Sequence, residues 1–196
     1  MAPARTTVVL VHGAWAECAS WTQIIQPLSG EGLDVLCAPL PLTSLEEDRR
    51  ALERFCARLE GQIVLVGHAY GGAVIGATQL ERVKLLIYVA ALAPEEGEAV
   101  AEVFYREAPH QHAPTLSPDG DGFIWMPASG FAKAFAQDAA SEVASVLFAT
   151  QRPIHVKCIQ EKSPRPLWKD RPSWFLVAEN DRMIPAKTQQ IGRAHV

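Results

Sequence analysis

The most constraining feature of this chain is an apolar run followed at once by closely spaced glycines and a helix-like stretch. Residues 63–66 are Ile-Val-Leu-Val, residues 67–71 are Gly-His-Ala-Tyr-Gly, and Gly72 follows. A strand that turns abruptly into a helix strains the residue at the apex, and its neighbours must be small so that the helix can pack close to the strand. The pattern therefore predicts a tight strand–turn–helix with Ala69 at its apex.

This context is that of the nucleophile elbow, Gly-x-Ser-x-Gly, in which the central serine attacks a carbonyl carbon. Here the central position carries Ala69, whose methyl group can neither attack a carbonyl nor pass a proton to a base. An ordinary strand-to-helix turn with incidental glycines is the alternative for this motif taken alone. The motif indicates the scaffold of a serine hydrolase without the reacting hydroxyl.

A second motif lies near the N-terminus, where an apolar run at residues 7–11 ends in His-Gly-Ala-Trp at residues 12–15. In hydrolases with an elbow, the N–H just after such a His-Gly pair and the N–H after the nucleophile together bind the developing oxyanion. By position these two donors are Ala14 and Tyr70. A loop with a structural histidine is the alternative, but the two motifs together favour the oxyanion-hole interpretation.

The composition is that of a globular protein with one sizeable core: 196 residues, 48% hydrophobic and 20% charged. The net charge of −4 offers no basic surface for nucleic acid or an anionic membrane, and no apolar run is long enough to span a bilayer. Residues 1–7 lack the features of a secretory signal, and the four cysteines are scattered. We expect a cytoplasmic protein with reduced thiols and no metal or other cofactor, and its oligomeric state stays open.

Strand and helix patterns alternate along most of the chain. Strands are predicted at residues 8–11, 33–37, 63–66, 85–89 and 173–177, and helices at residues 21–28, 70–80 and 131–148. A further helix begins at a capping box formed by Ser44 and Glu47 and ends before Gly61. Continuous apolar strands that alternate with helices predict an α/β fold with a mostly parallel sheet covered on both faces.

Residues 94–153 depart from this rhythm and contain a turn cluster at residues 118–122 with aromatic neighbours. We expect a helical cap inserted between core strands, although a pair of ordinary covering helices is the alternative. The core then comprises residues 1–93 and 154–190. The side chains expected in a pocket, each of which could equally be plain core, are His12, Trp15, Tyr105, Trp125 and Met126.

A carboxylate follows the last predicted strand, in the segment Ala-Glu-Asn-Asp-Arg-Met-Ile-Pro at residues 178–185. In hydrolases with an elbow, the acid that orients the catalytic histidine lies just past such a strand end. Asp181 is the candidate acid, with Glu179 as the weaker substitute. The alternative is a solvated turn aspartate.

The base histidine that should follow the acid is absent from the expected place. A helix and a strand must lie between the two, and His195 is too close to Asp181 to allow both. The histidines that precede the acid, and are therefore expected at the surface or in the cap, are His110, His112 and His155.

Residues 191–196, Ile-Gly-Arg-Ala-His-Val, break a plausible helix and resemble the translation of a common sequencing-library adapter. We expect a non-native tail at these positions and a reading frame cut after about Gln190, so that the last strand and the base are missing. Resequencing of the locus tests this expectation. A genomic stop codon directly after Val196, preceded by genuine coding sequence, would contradict it.

Together the motifs resemble the bacterial α/β-hydrolase superfamily, in particular small esterase-like members similar to plant methylesterases and hydroxynitrile lyases. The segments that carry the resemblance are residues 9–15, 41–45, 64–72, 119–123 and 173–177 with Asp181. The resemblance extends over residues 6–190. It implies cofactor-free hydrolysis of a carboxylic ester or similar acyl substrate in a mostly apolar pocket, but Ala69 and the missing base depart from the family pattern.

Three interpretations of Ala69 stay open. In the first, Ala69 is native and the fold performs non-covalent, lyase-type chemistry with the oxyanion donors. In the second, the protein is a non-catalytic pseudoenzyme that binds a small apolar or ester-type ligand. In the third, Ala69 is an engineered change from serine that traps substrate, which the adapter-like tail disfavours. In all three, serine-type acyl-enzyme catalysis is not expected.

Overall fold

A five-stranded sheet in which all neighbouring strands are parallel forms the centre of the computed structural model, which describes residues 6–190. The strands of the chain are β1 (Thr6–Val11), β2 (Asp34–Ala38), β3 (Gln62–His68), β4 (Val83–Val89), β5 (Phe123–Ile124), β6 (Ile154–His155) and β7 (Ser173–Leu176). The central sheet has the order β2-β1-β3-β4-β7, and β5 and β6 form a separate antiparallel pair. All five predicted strands are therefore confirmed within this sheet.

Helices connect these strands and cover the sheet. They are α1 (Thr22–Gly30), α2 (Leu45–Ala57), α3 (Tyr70–Ala77), α4 (Val100–Phe104), α5 (Ala128–Gly130), α6 (Ser141–Ala149), α7 (Val156–Gln160) and α8 (Ala186–Gln189). Short 3-10 turns lie at Cys18–Trp21 and Leu167–Lys169, and a π-helical turn lies at Phe131–Phe135. Within residues 6–190, no helix has the length and apolar character that a membrane crossing requires.

The continuous apolar character of the strands follows from burial on both faces of the sheet. In β1, Val9 and Val11 belong to the main core, together with side chains of α2 and α3. Val8 and Leu10 point to the opposite face, where they pack with Trp21. Since alternate side chains of a strand lie on opposite faces, both sets must be apolar.

Half of the predicted capping box of α2 is present: the Ser44 hydroxyl accepts a hydrogen bond from the Glu47 N–H at 3.1 Å, whereas within residues 6–190 the Glu47 side chain does not accept the Ser44 N–H. The helix ends at Ala57, earlier than the predicted stop before Gly61. Helix α3 also ends early, at Ala77, because Thr78 turns to extended backbone. The sequence predicted that these two segments are helical. It did not predict the residue at which each helix ends, because that depends on local backbone turns.

The prediction of a single helix at residues 131–148 was wrong, because two separate helical segments lie there. The π-helical turn at Phe131–Phe135 ends where Ala136 leaves helical geometry, with φ −122° and ψ 40°, and α6 begins only at Ser141. In the interruption, the Gln137 side-chain amide donates to the Asn180 carbonyl oxygen at 2.8 Å. A contact with the segment after β7 thus accompanies the break, which helical periodicity alone cannot reveal.

The region between β4 and β7 is where the cap was expected. Strand β5, inside the predicted cap, pairs with β6, which was assigned to the second part of the core, and the central sheet resumes only at Ser173. The boundaries at residues 93 and 153 stay a prediction. The proposed tail at residues 191–196 lies outside the described residues.

Candidate site at the carboxyl ends of the strands

The sharp turn expected at Ala69 lies between the last residue of β3 and the first residue of α3. Ala69 has φ 50° and ψ −118°, a conformation that strains a residue with a side chain. A Cβ on Gly67 would lie 2.7 Å from the Gly71 carbonyl, and one on Gly71 would lie 2.6 Å from the Val11 carbonyl oxygen. These distances leave no room for side chains, so the flanking glycines permit the close packing of strand and helix.

Four non-glycine residues among residues 6–190 have positive φ, and three of them lie after neighbouring strands at one cavity, whereas the fourth, Leu42, lies outside it. Trp15, Ala69 and Ala90 follow β1, β3 and β4 and have φ values of 56°, 50° and 45°. All three residues line one cavity. A strained backbone conformation persists only where many surrounding contacts hold the residue in place, and such residues cluster at functional sites. This cavity is therefore the candidate site.

The cavity has a volume of about 640 Å³, which suits a small molecule. Its walls are mainly apolar, and they include Leu92, Val100, Phe104, Leu116, Phe135 and Met183. Polar side chains enter from the segment after β7, where Glu179, Asn180 and Asp181 lie. The site thus combines a large apolar surface with a few polar groups.

Ala14 and Tyr70, the two predicted oxyanion donors, both line this cavity. Their loops are adjacent, because a Cβ placed on Gly13 would lie 2.9 Å from the Ala69 Cβ. Within residues 6–190, neither the Ala14 N–H nor the Tyr70 N–H donates to another group of the protein. Two backbone donors are thus available beside the Ala69 methyl group.

Trp15 holds the first of these loops in place. Its N–H donates to the Arg152 carbonyl oxygen at 3.1 Å, and its indole Nε1–H donates to the Ile124 carbonyl oxygen at 2.9 Å. Both acceptors belong to the region between β4 and β7. Trp15 and Tyr105 both line the cavity.

His12 does not line the cavity, which corrects its assignment to the pocket. It is fully buried, its Nε2 accepts the Leu40 N–H at 3.1 Å, and its Nδ1 donates to the Gly13 carbonyl oxygen at 2.9 Å. Burial lowers the pKa of His12, so the ring is neutral at pH 7. His12 therefore supports the loop through both ring nitrogens.

Trp125 and Met126 also lie outside the cavity lining, contrary to prediction. Trp125 is 52% exposed, whereas Met126 is 2% exposed and packs in the core. The Gln151 side chain accepts from the Met126 N–H at 3.0 Å and donates to its carbonyl oxygen at 3.2 Å, which fixes this extended segment. Neighbouring side chains of an extended segment point in opposite directions, and here neither direction leads to the cavity.

His68 and Leu92 line the cavity although neither was assigned to the pocket. The His68 ring meets Trp21 edge-on, with centroids 6.2 Å apart, and burial lowers its pKa to about 4. His68 is therefore neutral at pH 7. His68 ends β3 and Leu92 lies three residues after the end of β4, and the carboxyl ends of parallel strands form the usual ligand side of a sheet. This rule could have identified both residues as pocket residues from the sequence.

Asp181, the predicted acid, lines the cavity and is held by three hydrogen bonds. Oδ1 accepts the N–H groups of Met183 at 2.7 Å and Ile184 at 2.9 Å, and Oδ2 accepts from the Gln189 amide at 3.0 Å. Burial raises the pKa of Asp181. Within residues 6–190, no histidine forms a hydrogen bond with this carboxylate, so its role as the acid stays a prediction.

Gln189 was missed by sequence analysis. Its buried side chain also donates to the Ile184 carbonyl oxygen at 2.7 Å and accepts the Ala178 N–H at 2.8 Å. The amide thereby closes the turn that carries Asp181.

Glu179, the weaker candidate acid, lines the cavity as well. The histidines expected at the surface or in the cap also lie outside the lining: His110, His112 and His155.

Glycine in place of Ala69 should raise the free energy of unfolding by about 1 kcal/mol, because glycine adopts positive φ without the steric cost that a Cβ brings. Urea denaturation measures the change. Ala73→Gly, within α3, should instead lower stability by about 1 kcal/mol, since helix interiors favour alanine. Equal signs for the two variants would show that Ala69 is not strained.

The chain matches the profile of a family described as "Alpha/beta hydrolase family" over residues 8–196. It is similar in structure to a mutant of polyneuridine aldehyde esterase, at 16% identity and a TM-score of 0.81, with 98% of this chain and 87% of that chain covered. An extracellular alpha/beta-hydrolase from a Paenibacillus species is 23% identical, with a TM-score of 0.77 and coverages of 92% and 80%. A pyrethroid hydrolase from Sphingobium faniae JZ-2 is 21% identical, with a TM-score of 0.80 and coverages of 96% and 84%. Comparison with curated protein sequences yields no match.

Proposed function

Because the chain belongs to the alpha/beta hydrolase family but carries a methyl group at its elbow, we propose that it binds a small apolar molecule through a carbonyl or carboxyl oxygen without forming an acyl-enzyme. The fold is that of an α/β hydrolase related to esterases. The proposal concerns what this fold does with alanine at position 69.

The observation that carries the proposal is the pair of N–H groups at Ala14 and Tyr70, which have no acceptor among residues 6–190 and lie beside a mainly apolar cavity. A donor shielded from water costs about 1–3 kcal/mol when it lacks an acceptor. A ligand oxygen at the Ala69 methyl group would satisfy both donors, while the rest of the ligand would occupy the apolar space. Binding of this kind needs no hydroxyl at position 69.

Non-covalent proton-transfer chemistry is less well supported than binding alone. His68 lines the cavity, but its pKa of about 4 makes it a weak base. Asp181 is engaged by two backbone N–H groups and the Gln189 amide, which occupy both of its oxygens. Neither group is arranged as a free base at the elbow.

The binding proposal is tested with a ketone and its hydrocarbon analogue. Valerophenone and 2-phenyl-1-hexene have similar shapes, but only the ketone has an oxygen that can accept hydrogen bonds. We expect the protein to prefer the ketone by about tenfold, which corresponds to one or two net hydrogen bonds. Isothermal titration calorimetry or intrinsic tryptophan fluorescence measures both affinities. Equal affinities would contradict recognition through the oxygen.

The absence of an acyl-enzyme is tested with p-nitrophenyl butyrate in stopped flow. The Ala69 protein should release no burst of p-nitrophenol, since it has no hydroxyl that could take the acyl group. The Ala69→Ser variant is the matched comparison, and a burst from it would show that the other parts of the machinery are present. Burst release from the Ala69 protein would overturn the proposal, and steady release without a burst would favour non-covalent chemistry.

A further inference from the structure

A buried carboxylate, Asp48 in α2, lies where α2 meets three other segments of the chain. Its side chain is inaccessible to solvent. Oδ1 accepts the Leu42 N–H at 2.7 Å, and Oδ2 accepts the Tyr70 hydroxyl at 2.7 Å. The Cys158 thiol in α7 donates to the same Oδ2 at 3.6 Å. The carboxylate thereby connects α2, the loop that precedes it, α3 and α7.

A carboxylate in this position is costly for the fold, because no side-chain cation forms an ion pair with it within residues 6–190. Burial raises the pKa of Asp48 to about 6, and the donors of Tyr70, Leu42 and Cys158, with a smaller contribution from the positive charge of Arg152, oppose that rise. An apolar side chain would fill the same space without this cost. What the carboxylate adds is a fixed position for the groups that donate to it.

Tyr70 is the donor that connects Asp48 to the candidate site. Tyr70 is 3% exposed and its hydroxyl donates to Asp48, while its N–H is one of the two donors at the cavity that have no acceptor among the described residues. The next two residues of α3 are Gly71 and Gly72, which have no side chains to anchor the first turn. Tyr70 therefore supplies the polar side-chain attachment at this end of the helix.

We infer that Asp48 is a positioning residue, which through the Tyr70 hydroxyl fixes the first turn of α3 and hence the Tyr70 N–H that meets the ligand oxygen. The inference rests on the proposed function, because it assigns that N–H to the oxygen of a bound ligand. Asp48 does not contact the ligand in this arrangement. Asp48 should therefore affect the preference for ligands that carry a carbonyl oxygen, and should have little effect on the binding of the apolar part of the ligand.

The test measures the preference for valerophenone over 2-phenyl-1-hexene in the Tyr70→Phe variant. Phenylalanine keeps the ring but loses the hydrogen bond to Asp48. We expect the ratio of the two affinities to fall about fivefold, because the ketone loses more affinity than the hydrocarbon analogue does. A purely structural role would weaken both ligands together, so the ratio separates the two roles.

Tyr88→Phe is the matched control. The Tyr88 hydroxyl is also buried and lies against α3, since a Cβ on Gly76 would be 3.2 Å from it, but within residues 6–190 it has no hydrogen-bond partner. Its removal should leave the ketone preference unchanged.

If Tyr70→Phe fails to fold, Asp48→Asn provides the second variant. The asparagine side chain has only one oxygen and cannot accept hydrogen bonds from all three donors, so the same loss of the ketone preference is expected.

The outcomes distinguish the two proposals. If the parent protein prefers the ketone and the Tyr70→Phe or Asp48→Asn variant retains that preference, the positioning role of Asp48 is overturned and the proposed function stands. A parent protein with no preference overturns both. A preference lost equally in Tyr88→Phe would show a general loosening of α3, and would overturn the specific role of the hydrogen bond.

Discussion

Alanine in place of Gly71 should destabilise the protein by about 3 kcal/mol or more, the upper end of the range for substitutions that overpack a core. The added Cβ would lie 2.6 Å from the Val11 carbonyl oxygen and 2.8 Å from that of His12. Both are backbone atoms at the end of β1, which is held between β2 and β3. Neither can move without disturbing the sheet.

Urea denaturation of the Gly71→Ala variant measures this effect, with soluble yield as a second readout if the variant does not fold. Gly30→Ala is the control, because Gly30 ends α1 and a Cβ there would meet no atom within 4 Å. This control should be neutral or more stable by about 0.5 kcal/mol, since alanine favours helix. Similar losses in both variants would contradict the steric explanation.

Acidification should reveal two groups, His68 and Asp48, whose shifted pKa values have opposite effects on stability. Burial lowers the pKa of His68 from its ordinary value of 6.5 to about 4, so the unfolded chain takes up this proton first and stability falls as the pH drops through this range. Burial raises the pKa of Asp48 from 3.8 to about 6, so the folded protein takes up this proton first and stability rises over the same range.

Variants separate the two contributions. Between pH 7 and about pH 4.5, protonation of each group changes the free energy of unfolding by about 2–3 kcal/mol. The change is a loss of stability for His68 and a gain for Asp48. Relative to the parent protein, His68→Gln should gain this amount of stability on acidification, and Asp48→Asn should lose it. Urea denaturation at both pH values gives the differences. The same pH dependence in both variants would show that the two environments are not those described.

Much of the fold was predictable because the relevant signals are local. The apolar runs of the five central strands identify them without tertiary information, and Ser44 with Glu47 marks the start of α2. The glycines around Ala69 likewise predicted a sharp turn from strand to helix. These signals work because strand burial, helix capping and positive φ depend on few neighbouring residues.

The contents of the cavity were less predictable. Trp15 and Tyr105 line it, but His12, Trp125 and Met126 do not, although all five are plausible pocket residues by type. Which side chains reach the cavity depends on the direction of each extended segment. That direction is set by contacts with distant parts of the chain, such as those of Gln151 with Met126.

The sequence alone determined that an alanine methyl group occupies the elbow between a parallel strand and a helix, because that conclusion needs only the strand, the glycines and the identity of residue 69. Only the tertiary structure decided that Asp48 accepts the Tyr70 hydroxyl and that Gln189 holds the turn of Asp181. Hydrogen bonds between side chains far apart in sequence, and bonds from a side chain to the backbone of a turn, leave no periodic pattern. They exist because the packing of the sheet and its helices brings those groups within bonding distance.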